Sequence, residues 1–192
     1  MNIIIFGPPG AGKGTQSKFI EKKYNLLQLS TGELLRNEIK NKTQLGLEIS
    51  SIINSGDLVS DDIVSKLIEK YISDQKNKQR LIFDGYPRNL DQAKNLDKLL
   101  KKYNQQIDIV LKLSVSLETI KKRITERKSQ EQRTDDSDEI AIKRFKTYEL
   151  SSEPVLDYYK QSNLLKVING ENTISEINVE ISGLIDAIKG WL

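Results

Sequence analysis

Gly7-Pro8-Pro9-Gly10-Ala11-Gly12-Lys13-Gly14-Thr15-Gln16 holds four of the eleven glycines in this 192-residue chain. Glycines at such close spacing let backbone N–H groups converge on phosphate oxygens, and a helix starting behind them adds its positive end. Lys13 is placed to reach the outer phosphates of a nucleotide. A Ser or Thr ordinarily follows such a lysine and touches Mg²⁺; here Gly14 follows it and Thr15 comes one later. The metal is then held through water and phosphates, or Thr15 contributes from an offset position. A second cluster, Asp84-Gly85-Tyr86-Pro87-Arg88, joins a carboxylate able to orient water around Mg²⁺ to a guanidinium presented by a stiff turn. Arg123 and Arg127 lie four apart on one helix face, and Arg133 and Arg144 follow. Only 7 of the 30 basic residues are Arg, and a planar, permanently charged fork is the better phosphate ligand. The chain has no Cys and no His. Thiolate nucleophiles, imidazole bases, disulfides and cysteine or histidine zinc sites are therefore excluded. What remains is chemistry by position and charge.

Such residues need a scaffold, and the apolar runs supply one. Ile3–Phe6, Leu27–Leu29, Leu81–Asp84, Ile107–Leu113 and Leu164–Ile168 read as strands. Helical patterns fill 13–23, 31–54 with a break around Thr43, 61–73, 90–102, 116–127, 138–161 and 173–189. The strands are Ile/Leu-rich without clean alternation, as in a parallel sheet covered on both faces. The alternation predicts an α/β fold, a five-stranded parallel sheet flanked by helices, in one domain spanning 1–192. Two stretches interrupt it, residues 30–59 and a polar segment over 127–137, and both have the character of substrate-covering insertions. Net charge is +3 with 30% charged residues, which calls for neither a nucleic-acid partner nor a membrane. The first residues lack the basic region of a signal peptide, so the expected location is the cytoplasm.

With Ser30-Thr31-Gly32-Glu33-Leu34-Leu35-Arg36 added, the three spaced motifs resemble the nucleoside monophosphate kinase family, and within it the short-lid adenylate kinases. The likeness spans nearly the whole chain. It implies a P-loop kinase fold and reversible, Mg²⁺-dependent transfer, ATP + AMP = 2 ADP, which balances adenine nucleotides. It also implies roles. Gly10, Ala11, Gly12, Lys13, Gly14, Thr15, Arg123, Arg127 and the backbone of Asn172 would hold ATP. Thr31, Arg36, the backbone of Asp57, Leu58 and Val59, Gly85, Tyr86, Pro87, Arg88, Gln92, Arg133 and Arg144 would hold AMP, with Gln92 reading the base. Lys13, Arg88, Arg123, Arg133 and Arg144 would act in transfer, and Asp84 would hold Mg²⁺ through water rather than directly. Residues 30–59 would be the AMP-binding insertion and 126–136 a short lid, with only five residues between Arg127 and Arg133 and no room for a zinc-bearing one. The resemblance further implies a monomer with ATP, AMP and ADP as its partners.

Other readings compete. Thr31 also suits a helix N-cap, alone or with Ser30. A UMP/CMP kinase shares the scaffold and short lid, although Thr31 and Gln92 favour adenine. A GTPase switch wants an Asn-Lys-x-Asp guanine reader; Asn41-Lys42-Thr43-Gln44 and Asn77-Lys78-Gln79-Arg80 both lack the Asp. A nucleotide-binding subunit without catalysis would not need every phosphate-gripping arginine.

Overall fold

The computed structural model describes residues 1–55, 57–131 and 138–189, without the side chains of 127–131 and 138. Arg133, with Asp135 and Asp136, lies outside the described residues, as does the side chain of Arg127.

In chain order the elements are β1 (Ile3–Phe6), α1 (Lys13–Tyr24), β2 (Leu27–Ser30), α2 (Thr31–Lys40), α3 (Gln44–Asn54), α4 (Asp61–Ile72), β3 (Leu81–Asp84), α5 (Leu90–Lys102), β4 (Ile109–Ser114), α6 (Leu117–Glu131), α7 (Asp138–Gln161), β5 (Leu165–Asn169) and α8 (Ile174–Lys189). The five strands form one parallel sheet in the order β2-β3-β1-β4-β5. Alternation within β1 divides the core. Ile4 and Phe6 join the apolar cluster under α4, α5 and α7, while Ile3 and Ile5 join the cluster under α1 and α8. Full burial of each such side chain contributes about 1.5–3 kcal/mol, so the centre of the sheet is the best-anchored part of the molecule.

The register places the site. Ile5 of β1 lies opposite Asp84 of β3. The loops that leave the carboxyl ends of these neighbouring strands therefore start side by side, where open α/β sheets bind ligands.

Three boundaries differ from the sequence pattern. β4 begins at Ile109 rather than Ile107; ahead of it the chain is held to Asn2, whose Nδ2 donates to the Gln106 carbonyl at 2.9 Å, whose N–H donates to the Asp108 carboxylate at 2.7 Å and whose carbonyl accepts the Asp108 N–H at 2.9 Å. β5, an edge strand, runs from Leu165 to Asn169 rather than from Leu164 to Ile168, with Ile168 buried and Val167 59% exposed. α6 runs on to Glu131, past the expected end at 127. Arg127 to Glu131 contain neither Gly nor Pro and are dominated by good helix formers, so the helix propagates into the start of the segment read as a lid. The break around Thr43 is present. The Thr43 hydroxyl caps α3 by accepting the Gly46 N–H at 3.0 Å.

Candidate active site

A cleft of about 970 Å³ opens at the carboxyl ends of β1 and β3. On one wall is the glycine loop. Gly10 and Gly12 sit at φ +85° and +93°, conformations costly for side-chain-bearing residues, and a Cβ on Gly10 would come within 3.1 Å of Ile124. Gly12 is the N-cap of α1; it offers no capping side chain, and the first turn has no acidic residue. The first N–H groups of α1 are thus left to a ligand, with the helix dipole behind them. Lys13 Nζ donates to the carbonyls of Gly7 (2.8 Å) and Pro8 (3.0 Å), which holds the ammonium across the loop mouth. Gly10 to Thr15 all line the cleft.

The opposite wall carries Arg36, Arg88 and Arg144, from α2, the β3–α5 connection and α7. Arg88 Nε donates to the Gly85 carbonyl at 2.7 Å. Burial, together with the guanidiniums of Arg144 and Arg36, pushes Arg88 down to about 10 although Asp84 pulls the other way. Like charges gathered at one point in poor contact with water favour an anion there, and phosphate is the anion whose geometry a guanidinium fork fits.

Asp84 lies between the two walls. It is 7% exposed, and its Oδ2 accepts from Gln28 Nε2 at 3.0 Å. Burial pushes this carboxyl above the ordinary range, while the nearby Lys13 charge and the Gln28 bond partly offset the shift. A carboxylate that burial makes hard to ionise, beside a phosphate loop, suits a hydrated divalent cation. Among the described residues there is no group of three or more His, Cys, Asp or Glu side chains able to bind a metal directly.

Ser30 caps α2 by accepting the Glu33 N–H at 3.4 Å. That leaves the buried Thr31 hydroxyl to donate to the Gly85 carbonyl at 2.9 Å, which ties α2 to the turn presenting Arg88. Gln92 is 5% exposed and faces this part of the cleft. Asp57, Leu58, Val59, Gly85, Tyr86 and Pro87 line it too. The Asp57 carboxylate itself is held by Lys143 of α7 at 2.6 Å, an exposed pair that lowers its pKa, with the Ser55 hydroxyl also donating to it.

Arg123 crosses from α6 to the loop. Its guanidinium donates to the carbonyls of Gly170 (2.9 Å) and Ala11 (3.4 Å). Asn172 does not reach the cleft lining; its side chain accepts from Asn169 Nδ2 within the turn, and Ile174 and Ile177 of α8 line the cleft in that region.

Residues 5–164 match the family profile for adenylate kinase. The chain belongs to the adenylate kinase family. It is 42% identical to the adenylate kinase of Pelagibacter ubique over 211 aligned positions, covering 96% of this chain and 99% of that protein. It is 39% identical to the adenylate kinase of Fusobacterium nucleatum, covering 94% and 96% of the two chains. To that of Flavobacterium psychrophilum it is 38% identical, covering 97% and 98%. The fold is the α/β fold of this adenylate kinase family, and the protein is a phosphotransferase.

Two side chains that support residues of the cleft from outside its lining carry no legible signal in the sequence. Gln28 pairs with Asp84 across neighbouring strands, a contact set by register alone. Glu171 holds the start of α6: it accepts the Ser116 N–H at 2.7 Å and the Thr119 hydroxyl at 2.6 Å, and these bonds push its carboxyl down to about 2. Thereby it anchors the helix that delivers Arg123. Asn89 had a readable signal. It stands three before Gln92, the spacing of a capping box, and accepts the Gln92 N–H at 2.8 Å.

Proposed function

We propose that the cleft holds ATP on the glycine loop and AMP against Arg36, Arg88 and Arg144, and transfers the terminal phosphoryl group between them to give two ADP. The observation that carries this reading is two cationic sites of different construction, facing each other across one cleft. One has backbone donors and a lysine at a helix start; the other has three guanidiniums. Transfer between two phosphates asks the protein for in-line placement, charge neutralisation and exclusion of water, and for no general base, since the acceptor oxygen is already anionic. A chain without His or Cys meets all three demands.

In this reading the N–H groups from Gly10 to Thr15 cradle the donor's inner phosphates, and Lys13 and Arg123 neutralise the charge that builds on the moving group. Arg88 and Arg144 hold the acceptor phosphate, and Arg36 and Thr31 seat the rest of the monophosphate. Arg127 and Arg133 add charge from the lid side, and Asn172 contributes its backbone near the donor base. Gln92 reads the adenine edge beside Asp57, Leu58 and Val59. Mg²⁺, entering with ATP, supplies further neutralisation of the donor phosphates, and Asp84 would hold it through water. Residues 30–59 form the acceptor arm and 126–136 the short lid; their closure excludes water, which suppresses hydrolysis. We further propose a monomeric, cytoplasmic enzyme that uses no zinc. Among the described residues no helix is long and apolar enough to cross a membrane.

The deciding assay offers AMP, UMP and CMP in parallel with MgATP and follows diphosphate formation. A preference for AMP is expected. A preference for CMP or UMP, or hydrolysis of ATP without transfer to AMP, overturns the assignment.

A further inference from the structure

We propose that Asp61 is a positioning residue that fixes the direction of the Gln92 amide and so sets the preference for adenine over 6-oxopurine bases; this rests on Gln92 reading the base. A set of short bonds at the joined starts of α4 and α5 carries it. Asp61, the first residue of α4, accepts from Gln92 Nε2 at 2.6 Å through one carboxylate oxygen. Through the other it accepts from Asn89 Nδ2 at 2.9 Å. On the far side of the same amide, the Arg88 N–H donates to Gln92 Oε1 at 2.7 Å.

These two partners are chemically one-sided. An ionised carboxylate can only accept, and a backbone N–H can only donate. Together they allow one orientation of the amide. In the flipped form, Oε1 would face the Asp61 oxygen and the NH₂ would face the Arg88 N–H, so the buried amide would lose both bonds and meet like poles at each end. The held amide keeps one N–H on Nε2 and one lone pair on Oε1. That pair matches adenine, whose N1 accepts and whose 6-amino group donates. A 6-oxopurine presents the reverse, with an N1–H donor and an O6 acceptor, and would fit the flipped amide. An amide free to turn would therefore serve both bases, and the fixed one serves adenine. Asp61 also stands two residues after Val59, the last of Asp57, Leu58 and Val59 on the base-side wall, so the clamp joins that wall to Gln92.

A plain brace between α4 and α5, through Asn89, is the other role open to Asp61, and base preference separates the two. Kinetics with AMP and with inosine monophosphate, each at saturating MgATP, are measured for the parent, Asp61→Asn, Asp61→Ser and Gln92→Leu. An Asn or Ser at 61 can donate as well as accept, so the side-chain half of the clamp is lost while the Arg88 half stays. For both variants the AMP-to-inosine-monophosphate ratio of kcat/KM should fall about tenfold, the order expected for one mismatched polar contact. The change should sit in KM for AMP, with KM for ATP unmoved. Position 61 is exposed in the first turn of α4, behind the N-cap Ser60, so small polar replacements are tolerated there, and the two variants cover one another should either fold poorly. If Gln92→Leu loses the preference but both Asp61 variants keep it within twofold of the parent, Asp61 is only a brace and the proposal fails. If Gln92→Leu itself keeps the parental preference, the base-reading role fails first and takes the proposal with it. A parent that uses both monophosphates equally overturns it as well.

Discussion

The two phosphate sites of the cleft reach positive potential by opposite means. On the loop side the field comes from main-chain N–H groups and a helix start, and the loop's own lysine, Lys13, is already bonded to the Gly7 and Pro8 carbonyls. That arrangement sets no like charges against one another and depends on backbone shape. On the arginine side the field comes from side chains drawn from three elements, and those side chains oppose one another: burial and like charge push Arg88 down to about 10. The second arrangement is unfavourable when empty and is relieved by an anion. A loop site is thus held by local geometry, and an arginine site is held by the rest of the fold against its own repulsion. Asp84, buried between them and pushed above its ordinary range, belongs to the second kind.

The comparison is most exposed to failure at Lys13. Lys13→Ala should lower the rate of ADP formation by about 10³-fold while circular dichroism and the melting curve stay close to the parent's, because shape rather than charge maintains the loop. A large drop in melting temperature would show that the loop is not self-sufficient. Next comes Arg88→Lys, with kcat/KM for AMP falling about 10²-fold, since an ammonium cannot reproduce a bidentate fork. Full retention of kcat/KM would remove Arg88 from the phosphate. Its apolar counterpart, Arg88→Met, should melt above the parent at neutral pH. The folded-state pKa of Arg88 is depressed, so its charge is a net cost to the fold at every pH below about 10.

Asp84→Asn tests the same idea with the opposite charge. Turnover with MgATP should fall by about tenfold to 10²-fold. A raised folded pKa means that stability is lost as pH rises through it, so the variant should gain melting temperature over the parent at pH 7 and match it in acid. No gain at neutral pH would mean that Lys13 and Arg88 fully compensate the buried charge. The smallest effect is expected at Glu171, away from both sites. Its carboxyl is pushed down to about 2 from an ordinary 4.5. The stability it lends is therefore present above 4.5 and lost as pH falls toward 2. Glu171→Gln should lower the denaturant midpoint modestly at neutral pH, converge with the parent as pH approaches 2, and so flatten the acid limb of a stability-against-pH curve.

Much of this was readable beforehand where the signal is local. Strand, glycine loop and helix follow one another within the first 24 residues, and β1 and β3 fall where the apolar runs place them. Thr43 and Ser30 act as the caps their types suggest. Contacts between distant segments were not readable. Nothing near Gln28 announces Asp84, and nothing near Asp61 announces Gln92; each pair meets only because strands or helix starts are adjacent. The reach of α6 beyond 127 was missed because charged helix formers look the same in a lid as in a helix.

The sequence by itself determined the chemistry. It rules out imidazole and thiol catalysis, places a phosphate loop on a strand and helix, and reserves arginine for six positions of the three motifs and the segments after them, with Arg80 alone apart. Only the tertiary structure decided which arginines meet and what that meeting costs. It also decided that Asp84 is buried between the two sites, and which way the Gln92 amide is turned. The reason is physical. Backbone conformation and capping depend on residues within a few positions of each other, whereas charge repulsion, desolvation and the direction of a buried amide depend on neighbours that only the packed sheet and its helices bring together.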